Sequence, residues 1–327
     1  MDEFEVIRRF SGGLPTAPPE VLVPIGDDCA VLRLGGTEWA VAADMLVFGH
    51  HFREWATPED VGYKAVAVNV SDIAAMGGIP RFVLVSGAAP DPETALRCMT
   101  GVAEACREFG VYPLGGDTAR AGALTVDVSI LGELSAPPML RTGARPGDLL
   151  AVTGELGASA AGLLALQRGE STPERLIRKH LRPEPRVEDG LAAARLGVHA
   201  ALDLSDGLAS DVRHICEVSG TGCRVELDRL PVADDTRRFV ETLGRDVWSL
   251  AATGGEDYEL LLAAPERMLQ ELSEVSATPL TIVGEVTDGE VTFLRGGSMV
   301  DGLAGWHHFS AFAPGGTGGP SSHQRKE

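Results

Sequence analysis

The sequence predicts a two-domain protein of the α/β or α+β class, and three observations predict it. Short apolar runs of strand length alternate with longer, capped helical segments from about residue 21 to residue 294. A chain of 327 residues is also longer than one hydrophobic core ordinarily serves. Finally, residues 141–148, with two Arg, two Gly and Pro, break the alternation and read as a linker. Domains are expected at 1–142 and 143–312, followed by a disordered Gly/Pro/Ser-rich tail at 313–327.

The elements follow from local chemistry. Residues 4–10 predict a short amphipathic helix, and 12–19 a Gly/Pro-rich loop. A strand at 21–25 leads into Gly26-Asp27-Asp28-Cys29-Ala30, and a second at 39–43 is closed by Asp44 before His50-His51. Thr57, Pro58 and Asp60 start a long helix that Gly77-Gly78 ends. Its interior is small and apolar except for Asn69 and Asp72, and polar groups in such a helix are the informative kind. A strand at 81–88, a helix from Asp91-Pro92 to Gly110 and a short strand ending in Gly115-Gly116-Asp117-Thr118 come next. Residues 124–131 alternate, with Thr125, Asp127 and Ser129 on the polar face.

In the second half, strands are predicted at 149–153, 223–227, 260–263, 280–286 and 291–294. Helices are predicted at 158–167, 173–181, 186–196, 232–243 and 265–275. Residues 202–211 form a strand-to-helix turn in which Ser205 would cap a helix running to about Ser219.

A net charge of −19 and a pI near 4.8 exclude nucleic acid and anionic membrane surfaces as partners. A phosphate ligand would therefore require locally recruited cations. No apolar stretch reaches membrane-spanning length. Five cysteines without a Cys-x-x-Cys pair predict free thiols, and an N-terminus without a leader pattern predicts a cytoplasmic protein.

Asp27, Asp28, Asp44, Asp72, Asp117, Asp203 and Asp206 share one context: a small apolar element ended or interrupted by Asp, often beside Gly. Each has a plain structural alternative. Asp27 or Asp28 would serve as a turn residue, Asp44 and Asp117 as helix or turn caps, Asp72 as a buried acid on backbone amides, Asp203 as a solvated loop residue, and Asp206 as a first-turn acid. Jointly they suit a cluster holding more than one magnesium ion, with glycine backbone open to phosphates. No P-loop, dinucleotide fingerprint, His-Glu-x-x-His or nucleophile elbow is present.

Five segments carry a resemblance: Gly26 to Ala30, Lys64 through Asp72 to Gly77, Gly115-Gly116-Asp117-Thr118-Ala119-Arg120, Leu202-Asp203-Leu204-Ser205-Asp206-Gly207-Leu208, and Gly255-Glu256-Asp257-Tyr258-Glu259-Leu260. In that order, across about residues 3–309, they resemble the thiamine-monophosphate kinase family. That family lies in the superfamily of aminoimidazole-ribonucleotide synthetase and selenophosphate synthetase. The resemblance implies a homodimer whose N-terminal sheets pair into a barrel with ATP near the interface. It implies magnesium ligands at Asp28, Asp44, Asp72, Asp117, Asp203 and Asp206, ATP contacts at Gly116, Arg141 and Ser205, and thiamine monophosphate contacts at His51, Glu256 and Trp306. Asp27, Lys64, Asn69 and Asp257 are supporting candidates. His51 as a surface histidine and Trp306 as core packing are the plain alternatives.

Two departures stand out. Ala42-Ala43 precedes Asp44 where the family usually carries Ser-Thr, removing a hydroxyl ligand, and Ala119 follows Asp117-Thr118 in place of a second Thr. A selenophosphate synthetase is disfavoured because residues 1–28 lack Cys and Lys, and a hydrogenase-maturation relative because the chain lacks a terminal Cys. Aminoimidazole-ribonucleotide synthetase and a non-catalytic nucleotide- or metal-binding relative remain as alternatives.

Overall fold

The computed structural model describes residues 3–305. The chain divides into two units, the larger beginning at Thr16; helix α1 (Glu3–Ser11) belongs to the smaller. Trp306 and the predicted tail at 313–327 fall outside the described residues.

The larger unit holds two sheets. The first comprises β1 (Val21–Val23), β2 (Ala30–Leu34), β3 (Thr37–Val47), β4 (Ile79–Ala89), β5 (Tyr112–Arg120) and β6 (Thr125–Leu134), in the order β1-β2-β3-β6-β4-β5. Only β4 and β5 pair in parallel, and helix α3 (Pro92–Glu108) makes that crossover. Helix α2 (Pro58–Ala75) links β3 to β4. As expected, Thr57 caps α2: its hydroxyl oxygen accepts from the Asp60 amide at 3.1 Å and its O–H donates to Asp60 Oδ2 at 2.7 Å. Small residues let α2 and α3 cross closely. A Cβ added at Gly62 would lie 2.0 Å from the Cys98 carbonyl oxygen, and one at Gly101 would lie 1.8 Å from that of Glu59.

The second sheet comprises β7 (Leu149–Thr153), β8 (Ala200–Asp203), β9 (Gly222–Glu226), β10 (Leu260–Ala264), β11 (Leu280–Thr287), β12 (Val291–Arg295) and β13 (Ser298–Met299). Its order is β13-β12-β9-β11-β7-β10-β8, parallel only between β9 and β12. Strands β7, β8 and β10 are buried along nearly all of their length, which is why their sequences are continuous apolar runs. Helices α4 (Ala158–Gln167), α5 (Glu174–Leu181), α6 (Val187–Leu196), α7 (Leu208–Ser219), α8 (Asp234–Thr242), α9 (Val247–Thr253) and α10 (Glu266–Val275) complete the unit. Helix α2 packs against the first sheet and also against α6 and β8, so it is buried nearly throughout and shows no polar stripe.

Several expectations are corrected. Strand β2 and helix α9 were not predicted: Gly35-Gly36, both at positive φ, turn β2 back on β3, and Asp246 caps α9 by accepting from the Ser249 amide at 2.9 Å. Asp44 and Asp117 lie inside β3 and β5 and close neither. Strand β5 continues through Gly115-Gly116 because glycine tolerates the φ of +154° at Gly116, where a Cβ would meet the Val85 carbonyl oxygen at 1.7 Å. Ser205 does not cap α7. That helix starts after Gly207, whose N–H donates to Asp211 Oδ2 at 3.0 Å.

The alternation of β6 is as expected, with Val126, Val128 and Ile130 buried beneath Thr125, Asp127 and Ser129. The five cysteines are free and buried. Among the described residues no helix is long and apolar enough to cross a membrane.

Candidate active site

Asp28, in the β1–β2 loop, Asp72, late in α2, and Asp203, the last residue of β8, each place a carboxylate oxygen within 4.8 Å of the other two. The Ser71 hydroxyl donates to Asp203 Oδ2 at 2.5 Å. Arg141 Nε donates to Asp28 Oδ1 at 2.9 Å and its Nη2 makes a second contact with the same oxygen. The Arg141 amide donates to Asp27 Oδ2 at 3.1 Å, and the Asp28 amide to Asp27 Oδ1 at 3.0 Å. Asp27 thus fixes the loop while Asp28 meets the cluster. Asp28 Oδ2 is buried and has no hydrogen-bond partner.

Burial, then the neighbouring carboxylates, drives these acids upward. Asp203 is pushed up to about 8 by burial and then by Asp28, and Asp72 rises far above the carboxylate range through burial and the charges of Asp44, Asp203 and Asp28. Burial raises Asp28 although Arg141 pulls it down, and Asp27 is lifted to about 6. A cluster that resists ionisation in isolation suits a bound cation, because the cation removes the repulsion. Asp44 is exposed on β3, and its amide donates to Asn69 Oδ1 at 3.2 Å. Asn69 is oriented in turn by donating Nδ2–H to the Ala65 carbonyl at 2.9 Å. Ala42 packs against the first core, whereas Ala43 is exposed, so the two missing hydroxyls belong to differently exposed positions.

Asp206 joins a second group with Asp211 and His214, again within 4.8 Å. Among the described residues Asp117 joins neither group. It sits with Gly116 on the exposed edge strand β5, in register with Ser86. The Ser205 carbonyl accepts the Glu256 amide at 2.8 Å and the Leu204 carbonyl accepts that of Tyr258 at 2.9 Å, tying the two acidic loops together. Glu256 and Tyr258 hold φ of 65° and 52°, a conformation that costs a non-glycine residue about 1–3 kcal/mol and recurs at functional sites.

Glu256 is flanked by Lys64 Nζ at 2.9 Å from Oε1 and His180 Nδ1 at 3.2 Å from Oε2. Burial raises its carboxyl, but Lys64 and His180 outweigh that and keep it below the usual range. His51 Nδ1 accepts the Val47 amide at 3.0 Å, and its ring lines a small cleft with Phe52, Trp55, Lys64 and Leu181. Asp257 instead supports helix α4, accepting from the Gly157 and Ser159 amides at 2.7 and 3.1 Å. Glu259, also buried, accepts from Arg186 Nε and Nη2 at 2.6 and 2.5 Å and from Thr153 at 2.7 Å.

Sequence reasoning missed Ser71, Asp211, His214, His180 and Trp55. Asp211 and His214 are three apart on one helix, and His180 follows buried Leu176 by four, so helical spacing was the available signal.

Similarity to known proteins accords with this arrangement. Residues 26–134 match the family model of the AIR synthase related protein, N-terminal domain, and residues 145–296 that of its C-terminal domain. Thiamine-monophosphate kinases of Mycobacterium tuberculosis and Escherichia coli K12 are each 38% identical, over 94% of this chain and 92% and 98% of theirs. The chain belongs to the thiamine-monophosphate kinase family. AaThiL complexed with AMPPCP and TMP superposes with a TM-score of 0.84 at 32% identity, covering 94% of this chain and 97% of that one. The thiamine monophosphate kinase of Aquifex aeolicus gives 0.77 at 30%, covering 92% and 99%. The HypE-HypF complex, at 18% identity and a TM-score of 0.68, shares the fold. The architecture is the two-domain α/β fold of AIR synthase related proteins.

Proposed function

We propose that this chain transfers the γ-phosphoryl group of ATP directly to the phosphate of thiamine monophosphate, giving ADP and thiamine diphosphate. What carries this assignment is full-length likeness at 32% identity to a structure complexed with AMPPCP and TMP, joined to a buried acidic cluster beside Arg141. The acceptor is a phosphate oxygen already ionised near neutral pH, so no general base is needed. The work left to the protein is alignment of two polyanions and relief of their repulsion.

Asp28, Asp72 and Asp203 fit magnesium: their hard carboxylate oxygens converge, and the buried Asp28 Oδ2 lacks a partner. Asp28, Asp44, Asp72, Asp203 and Asp206, with Asp117 from the edge strand, would hold more than one ion, which when bound offsets phosphate charge. Arg141, Ser205 and Gly116 would contact ATP. Arg141 brings a guanidinium that neither proton loss nor burial neutralises, and Gly116 leaves the β5 backbone open to a phosphate. His51, Glu256 and Trp306 would contact thiamine monophosphate, with Lys64 holding Glu256 ionised and Asn69 setting the Asp44 backbone.

Strand β5 is exposed along its whole length, with Tyr112 67% and Leu114 55% exposed. An unpaired apolar edge favours a second copy, which supports a homodimer whose N-terminal sheets close a barrel. The boundary at 142/143 accords with family models ending at 134 and resuming at 145. Free buried thiols accord with a cytoplasmic location.

The test is incubation with ATP, magnesium and thiamine monophosphate, following thiamine diphosphate by chromatography beside a no-acceptor control. Acceptor-dependent product is expected. ATP binding without product would overturn the assignment in favour of a non-catalytic relative.

A further inference from the structure

Beside the cleft bordered by His51 lies a pair of polar atoms that phosphoryl transfer does not use. His180 on α5 is 1% exposed, and its Nδ1 faces Glu256 Oε2 and the Ser159 hydroxyl, the latter at 3.1 Å. Its Nε2 is buried and has no hydrogen-bond partner. The indole of Trp55, one wall of the cleft, lies against the imidazole with ring centroids 5.4 Å apart. The indole Nε1 is likewise buried without a partner. Buried polar atoms left this way are rare, because each has lost water and gained nothing in exchange.

The two atoms are complementary. Burial, with Lys64 nearby, drives the imidazole down to about 3, so His180 is neutral and carries one N–H. With its proton on Nδ1, beside the Ser159 hydroxyl and the Glu256 carboxylate, Nε2 presents a lone pair. Indole can only donate. An acceptor and a donor thus lie on two adjoining rings, next to the Lys64–Glu256 pair. An aromatic heterocycle bearing an amino group next to a ring nitrogen offers one donor and one acceptor that match them in kind.

We propose that His180 and Trp55 are specificity-determining residues: His180 Nε2 accepts from the amino group of the acceptor's aminopyrimidine ring, and Trp55 Nε1 donates to a ring nitrogen. The proposal rests on the kinase activity argued above for the identity of that ring. A site built around a buried acceptor rejects an analogue that lacks the matching donor, because the acceptor then stays unpaired.

Equilibrium binding tests this independently of turnover. Calorimetric titration of the full chain with thiamine monophosphate, and with its analogue carrying an exocyclic oxygen in place of the amino group, gives a preference for each variant. The unsubstituted chain is expected to prefer the amino compound by about 30-fold or more. His180→Phe should reduce that preference to within about threefold, weakening the amino compound while leaving the analogue nearly unchanged. Trp55→Phe, which keeps the ring and removes the donor, should weaken the amino compound by about tenfold. A preference that survives in a folded His180→Phe overturns the assignment and leaves ordered water as the occupant. Should His180→Phe fail to fold, Trp55→Phe decides, and unchanged affinity there overturns the proposal. Binding preference without thiamine diphosphate formation would count against the kinase activity and not against the subsite.

Discussion

Replacing Asp203 with Asn separates the cost of the acidic cluster from its use. In the metal-free chain Asp203 is held up at about 8, against 3.8 for an ordinary aspartate. At pH 7 the unfolded carboxyl is ionised while the folded one carries a proton. That difference spans about three pH units, or about 4 kcal/mol of lost stability. The sign follows from proton binding. The folded state holds the extra proton between about 4 and about 8, so this cost is absent at lower pH and grows as pH rises through that window. Asparagine resembles the protonated acid in shape, cannot ionise, and can still accept from the Ser71 hydroxyl. After allowance for relaxation, Asp203→Asn should raise metal-free stability by about 1–2 kcal/mol, a melting-temperature gain of a few degrees. The same change removes a cluster ligand, so turnover should fall by about 100-fold or more and magnesium should no longer stabilise the chain. Scanning calorimetry at pH 5 and 7, with chelator or magnesium, together with the chromatographic assay, reads both arms. A variant that melts below the parent without metal, or that keeps turnover within about threefold, would refute the reasoning.

Three further outcomes are expected. Because Asp28, Asp72 and Asp203 are all raised, magnesium should displace protons, its apparent affinity rising by up to about tenfold per pH unit for each proton released between pH 6 and 8; titration in buffers of different ionisation enthalpy checks it, and a flat profile contradicts it. Glu259→Gln strips Arg186, only 16% exposed, of its carboxylate and should cost about 3–5 kcal/mol in denaturant unfolding with KM unchanged in the folded fraction. Gly116→Ala forces a Cβ to 1.7 Å from the Val85 carbonyl, so the β4–β5 amides should lose hydrogen-exchange protection, and unchanged protection would show that β5 bends freely.

The legible parts of the fold were those with local punctuation. Thr57-Pro58 and Gly77 bracket α2 in the sequence as they do in the structure, and the apolar/polar alternation of β6 was plain. Asp28, Asp72 and Asp203 could be singled out because an acid in a small apolar context has few alternatives, and they do converge. What stayed hidden was set by tertiary neighbours. Asp257 carried only a supporting role beside Glu256, and what that role is comes from the approach of the α4 amides, which makes Asp257 a cap while Lys64 and His180 claim Glu256. His180 sits among Arg178, Lys179 and Arg182, which disguise a buried face as a basic surface.

Helix α2 explains why one apolar segment carries so much of the site. At about 100° per residue, Lys64 and Ser71 are seven apart and return to nearly the same face, while Asn69 points well away from both. The contacts follow that sorting: Lys64 reaches Glu256 and Ser71 reaches Asp203, both in the second half, whereas Asn69 holds the Asp44 backbone in the first sheet. Asp72 lies between these directions and meets acids from both halves, Asp28 and Asp203. The helix carries no hydrophobic stripe because it is enclosed nearly throughout, and its polar residues are ordered by partner and not by solvent. Two turns separate Lys64 from Ser71, a rise of about 10 Å along the axis. The acidic cluster and the Glu256 subsite are therefore spaced by the helix itself, and any substitution that shifts α2 displaces both together.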